Sequence, residues 1–245
     1  DRATSLVVSL TMPPETLVSW VEDFADGLVA GIRGLGAPAC AVAGGDLGRG
    51  RELAVSVAIV GTLDGKEPVL RSGARPGDTV ALAGTVGRAA AGLALLESDV
   101  PVGDLTAGQR SLLDIQCRPH PPLAAGPLAR EAGASAMMDI SDGLVRDGNR
   151  MAAASRAVLN LEAAALKELA APLLPASELV GADPMAWVLG GGEDHGLLAT
   201  FPAGVPLPPG FTAIGSVEAP APTESTGVTI AGRPADAVGW DHFAD

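Results

Sequence analysis

The sequence predicts a two-domain α/β (α+β) protein, on three observations. Short segments of alternating and β-branched apolar residues are interleaved with segments whose apolar residues recur every three or four positions. The 245 residues exceed one ordinary domain. Four prolines between Cys117 and Pro127 form the densest group of chain breakers before the C-terminal half, which sets the expected domains at 1–117 and 118–245.

Residues 5–10 mix alternation with β-branching and read as a strand that Pro13-Pro14 ends. Leu17, Val21, Phe24, Leu28 and Ile32 then share one helical stripe, which Gly34 and Gly36 terminate. Strands are expected at 39–43, at 53–60 and, after the turn Arg75-Pro76-Gly77-Asp78, at 79–83. Helical patterns resume at 87–96 and around 112–115. Beyond the prolines, 128–132 reads as helix, 134–138 as strand, and 143–154 as a helix with Leu144 and Met151 inward. Residues 158–161 form the next strand, and 184–189 a short helix running into Gly190-Gly191-Gly192. Strands follow at 196–201, 212–217 and 228–230. The pattern leaves open whether the strands pair parallel or antiparallel.

Composition excludes several functions. With 29 acidic and 16 basic residues the net charge is −13, and the only lysines are Lys66 and Lys167, so no basic stripe exists for nucleic acid. At 47% hydrophobic residues the chain can bury a core. It has no uninterrupted apolar run of about 18 residues and no export signal at Asp1-Arg2-Ala3-Thr4, so a soluble, cytoplasmic protein without a membrane partner is expected. Cys40 and Cys117 are too few for a disulfide framework or a thiolate zinc site and are expected in the core. No phosphate-cradling G-x-x-x-x-G-K-[ST] loop is present, and Gly84-Thr85-Val86-Gly87 lacks dinucleotide-fingerprint spacing. His120, His195 and His242 have no metal-ligand spacing, and no serine sits in a nucleophile elbow.

Four constellations remain. Gly44-Gly45-Asp46 follows an expected strand, where the chain must turn and where glycines let a ligand approach the backbone. Asp139-Ile140-Ser141-Asp142-Gly143-Leu144 falls where strand gives way to helix, so Ser141 or Asp142 reads equally as an N-cap. A cap leaves Asp139 unexplained, because two carboxylates this close repel unless a cation lies between them. Hard oxygens at a helix N-terminus suit Mg²⁺, which takes one or two carboxylates and fills its sphere with water and phosphate oxygens. Gly190-Gly191-Gly192-Glu193-Asp194 is either a glycine helix stop with solvated acids or a further part of a site. Trp240 stands out in a chain only 3% aromatic, although terminal tryptophans often seal a core edge.

In order and spacing, these motifs, with Arg71-Ser72-Gly73-Ala74-Arg75-Pro76-Gly77-Asp78, Ala91-Gly92-Leu93 and Gly239-Trp240-Asp241-His242-Phe243, resemble the thiamine-monophosphate kinase family. That family shares a superfamily with aminoimidazole ribonucleotide synthetase and selenophosphate synthetase. The resemblance implies the two-domain synthetase-like fold, with mixed sheets flanked by helices and a homodimer built on the N-terminal domains. It implies that Gly45 and Asp46 belong to the nucleotide and metal site, that Arg71 and Ser141 contact ATP, and that Asp46, Asp139 and Asp142 bind several Mg²⁺ ions. Glu193 and Trp240 would hold the thiamine moiety. A family segment rich in glycine and aspartate, with further Mg²⁺ ligands and a substrate-contacting histidine, has no counterpart before Asp1, so the site as written is expected to be incomplete. The position where the family places an adenine-packing aromatic falls near Phe24, which also fits the helix stripe.

The activity implied is phosphorylation of thiamine monophosphate by ATP. The acceptor phosphate is already anionic near neutral pH, so no strong general base is needed. The expected mechanism is direct in-line transfer, with Mg²⁺ and Arg71 neutralising charge between two anions. The alternatives are another ATP-dependent synthetase of the superfamily or a catalytically silent nucleotide-binding scaffold.

Overall fold

Leu6, Val8 and Leu10 alternate along β1 (Arg2–Met12) with exposed Val7 and Ser9, which fits a strand covered on one side. In this computed structural model, which describes residues 2–221, 225–236 and 239–240, β1 is the middle strand of a three-stranded sheet. It runs parallel to β2 (Ala41–Arg49) and antiparallel to β3 (Ala54–Thr62). The helix α1 (Val18–Gly34) covers the buried side, where Phe24, Leu28 and Ile32 pack with Leu6, Val8 and Cys40. Phe24 also stacks on Trp20, their ring centroids 5.7 Å apart, and so serves the helix stripe.

Gly44-Gly45-Asp46 does not form the expected turn, because β2 continues through it. The β1–β2 register shifts beside Gly44, whose φ is 148°, and a Cβ on Gly45 would overlap the Val8 carbonyl oxygen. The glycines let two strands close up across a bulge, and the strand survives.

This sheet and helix make up the first of two compact units, Asp1–Pro68, and the second is Val69–Asp245. The units part well before the boundary expected at Cys117. The reason is β4 (Thr79–Ala83), which is paired on both sides inside the sheet of the second unit. Residues of α2 (Arg88–Leu96) and α3 (Ala107–Cys117) share that unit's core. The proline group only turns the chain from α3 into α4 (Ala125–Glu131). Cys117, expected in the core, is exposed at the end of α3.

The second unit holds β5 (Ala136–Asp139), β6 (Val158–Leu161), β7 (Leu197–Phe201), β8 (Phe211–Glu218), β9 (Gly227–Ile230) and the short β10 (Arg233–Pro234). Its sheet has the order β10-β9-β6-β8-β4-β7-β5. Neighbours are antiparallel except β6 and β9. Val80, Leu82 and Leu198 belong to the large core with α5 (Leu144–Ser155), α6 (Ala163–Ala170), α7 (Leu174–Val180) and α8 (Pro184–Gly190). Ala81, Ala199 and Phe201 alternate with them and pack with Ala129 of α4. The mixed α/β architecture is as expected. The helices α6 and α7 were not expected: Pro172 and Pro175 punctuate the stretch, so its apolar period never runs long. Among the described residues no helix is long and apolar enough to cross a membrane.

Candidate functional site

The edge strand β5 stops at Asp139, where its ladder with β7 ends, and the Ile140 N–H donates to the Gly196 carbonyl at 2.8 Å. The chain then bends through residues 141–143 into α5, leaving Asp139 and Ser141 exposed and Asp142 half-buried. Neither Ser141 nor Asp142 caps the helix, whose N-cap is Gly143 with a φ of 119°. Asp147, fully buried in the first turn, reaches back instead. Its Oδ2 accepts the Ser141 N–H at 2.9 Å and the Asp142 N–H at 2.8 Å. Sequence reasoning missed Asp147, though a signal existed: it lies on the same stripe as Leu144 and Met151, and an acid on a buried stripe must have partners.

The second partner is Arg150. Its Nη1 lies 2.6 Å from Asp147 Oδ1 and 2.5 Å from Asp142 Oδ2. The bond to Asp142, and next the bond to Asp147, raise the guanidinium above its ordinary pKa. The positive charge needed beside Asp142 is therefore supplied here by an arginine.

The loop after α8 presses on this bend. A Cβ on Gly192 would overlap the Ser141 carbonyl and stand 2.7 Å from the Asp142 nitrogen, and one on Gly143 would be 2.6 Å from the Gly190 oxygen. The two motifs thus meet backbone to backbone. The two acids that follow diverge. Glu193 is exposed, and its Oε2 accepts from Gln116 Nε2 of α3 at 3.2 Å. Asp194 is not a solvated acid: it is buried and accepts the Thr85 hydroxyl at 2.7 Å and the Arg88 and Ala89 N–H groups at 3.2 and 3.0 Å. It satisfies the free donors at the start of α2.

The C-terminal segment crosses the same bend. The Trp240 N–H donates to the Asp142 carbonyl at 3.0 Å, and Gly239, with a φ of 130°, has no room for a Cβ against that oxygen. Trp240 is 64% exposed, so it does not seal a core edge. Asp241, His242 and Phe243 lie outside the described residues.

Arg71 runs beside β5. The carbonyl of Leu70 accepts the Met137 N–H at 3.0 Å, which places the segment two residues, about 7 Å, short of Asp139. The Ser155 hydroxyl pins it, donating to the Arg71 carbonyl at 3.2 Å and accepting from Gly73 and Ala74 at 3.1 and 3.2 Å. Asp139, Ser141, Asp142, Glu193 and Trp240 are thus gathered in one region, with Arg71 along the neighbouring strand edge. Gly45 and Asp46 are exposed on β2 of the first unit.

Asp139 and Asp142 offer hard oxygens of the kind Mg²⁺ takes, one or two carboxylates at a time. Among the described residues no group of three or more His, Cys, Asp or Glu is placed to hold a metal ion.

No family model matches the chain. It is 39% identical to a thiamine-monophosphate kinase of Mycobacterium tuberculosis over 245 residues, which is all of this chain and 69% of the relative. It is 34% identical to that of Aquifex aeolicus, over 97% of this chain and 73% of the relative. A solved structure, AaThiL complexed with AMPPCP and TMP, superposes with a TM-score of 0.82 at 32% identity, covering 99% of this chain and 74% of that one. The hydrogenase maturation protein HypE, at 17% identity and a TM-score of 0.65 over 98% of this chain and 75% of its own, shares the fold.

Proposed function

The chain belongs to the thiamine-monophosphate kinase family, and from that premise we propose that it transfers the γ-phosphoryl group of ATP to thiamine monophosphate, yielding ADP and thiamine diphosphate. The observation that carries this reading is the meeting of the Asp139–Asp142 bend, the Gly192-Glu193 loop and Trp240 in one region.

Asp139 and Asp142 would hold Mg²⁺, which when bound neutralises phosphate charge beside an otherwise acidic surface. Gly45 and Asp46 enter this reading as nucleotide and metal residues through the family resemblance. Exposed Ser141 offers a hydroxyl to the nucleotide, and Arg71 offers a guanidinium suited to a phosphate fork. The acceptor phosphate is itself the nucleophile, so the residues here position anions and have no proton to remove. Glu193 and Trp240 supply a carboxylate and an indole face for thiamine, whose thiazolium ring is cationic. A reaction that draws on ATP is assigned by this reading to the cytoplasm. Val55, Val57 and Ile59 stay exposed on β3, apolar surface suited to a second copy of the chain. A monomeric mass by light scattering would count against that homodimer.

The test is ADP release by the purified protein given Mg²⁺, ATP and thiamine monophosphate, with thiamine diphosphate identified chromatographically. Nucleotide binding without turnover would instead mark a silent scaffold. Within the same assay, Trp240→Ala should raise KM for thiamine monophosphate about tenfold while leaving KM for ATP within about twofold. Equal weakening of both substrates would remove the stacking role.

A further inference from the structure

We propose that Arg150 is a resident counter-ion of the Asp142 carboxylate that a divalent metal must displace, and that Asp147 retains the displaced guanidinium. This rests on the reading of Asp142 as a metal ligand.

The geometry is asymmetric in a way a simple structural ion pair does not require. One nitrogen, Arg150 Nη1, stands 2.5 Å from Asp142 and 2.6 Å from Asp147, so it fills the space beside Asp142 that another cation would need. The two acids differ in freedom. The Asp147 side chain is 1% exposed, and its other oxygen already accepts two backbone N–H groups of the bend. It cannot turn away, and its buried charge requires a permanent partner. The Asp142 side chain is 17% exposed and that of Arg150 is 39% exposed, so the contact between them opens toward solvent. When the metal takes Asp142, Arg150 keeps Asp147 and no buried charge is stranded. Without metal, the guanidinium stops the two carboxylates from repelling and keeps Asp142 in place. The arginine therefore lowers metal affinity while preserving the shape of the site.

A purely structural arginine predicts weaker metal binding when it is lost, whereas a competing counter-ion predicts the opposite. Mn²⁺, standing in for Mg²⁺, is titrated into the purified protein without nucleotide, with free Mn²⁺ read by electron paramagnetic resonance. Arg150→Gln keeps a donor for Asp147 but removes the charge, and it should bind Mn²⁺ about tenfold more tightly. Arg150→Lys keeps the charge and should stay within about twofold of the parent. Asp147→Asn leaves the guanidinium to Asp142 alone and should weaken binding severalfold; tighter binding there would overturn the role given to Asp147. If it misfolds, Arg150→Gln still decides, because its amide leaves Asp147 a hydrogen-bond donor, and a thermal melt verifies that the variant is folded before titration. Asp142→Asn separates the two layers. Unchanged Mn²⁺ binding in that variant would refute the ligand reading itself. Lost binding there, together with unchanged or weaker binding in Arg150→Gln, would overturn the counter-ion alone.

Discussion

Asp142→Asn should lower phosphoryl transfer by about a thousandfold or more while leaving the melting temperature within a few degrees of the parent. The substitution keeps the shape and removes the charge. Asp142 does not cap α5, and its backbone N–H is held by Asp147 whatever its own side chain carries, so the bend should keep its form. The ion pair that is lost is partly exposed and contributes at most about 1 kcal/mol. Loss of activity without loss of fold would mark the carboxylate as a ligand for charge. Steady-state kinetics at saturating Mg²⁺ and a thermal melt check both halves, and transfer at the parent rate would remove Asp142 from the metal site.

Gly192→Ala should do the reverse, damaging structure and activity together. The added methyl would overlap the Ser141 carbonyl and crowd the Asp142 nitrogen, and both are backbone atoms that no rotamer change can move. The bend is tied to buried Asp147, and the loop follows directly on α8, so one of them must shift. The expected cost is about 2–4 kcal/mol of stability, with transfer reduced at least a hundredfold, because displacing a positioned ligand by about 1 Å is enough to do so. Chemical denaturation and turnover measure the two effects. An alanine variant as stable and active as the parent would show that the two motifs do not meet as described. Gly126, on α4 with open space around its Cβ position, is the control that should tolerate alanine.

Much of the candidate site is legible residue by residue. Asp139, Ser141, Asp142, Glu193 and Trp240 stood out because acids, glycines and an indole broke an apolar pattern at strand and helix ends, where local rules are strong. The same rules placed β1, α1, β4, β6 and α8 close to their observed bounds. They failed where a distant partner overrode them. Gly44-Gly45 read as a turn, yet the Val8 backbone lies against Gly45 and the strand runs on. Asp194 read like its neighbour Glu193, yet it caps a helix about a hundred residues earlier in the chain. Asp147 went unread although it shares the stripe of Leu144 and Met151, because an acid interrupts an apolar period and its burial shows only once its partners are in place.

By itself the sequence determined the alternation of strands and helices, the family, and the chemical inventory of hard oxygens, one guanidinium and one indole. The alternation follows from the period of apolar residues, the inventory from the identity of single side chains, and the family from the resemblance that whole motifs carry in their order and spacing. Only the tertiary structure decided that β4 belongs to the second unit, that glycines press the Asp142 bend onto the Gly192 loop, and that Arg150 stands between two aspartates. The first two depend on close packing between segments far apart in the chain, and the third on which way three neighbouring side chains turn, and none of them leaves a periodicity to read.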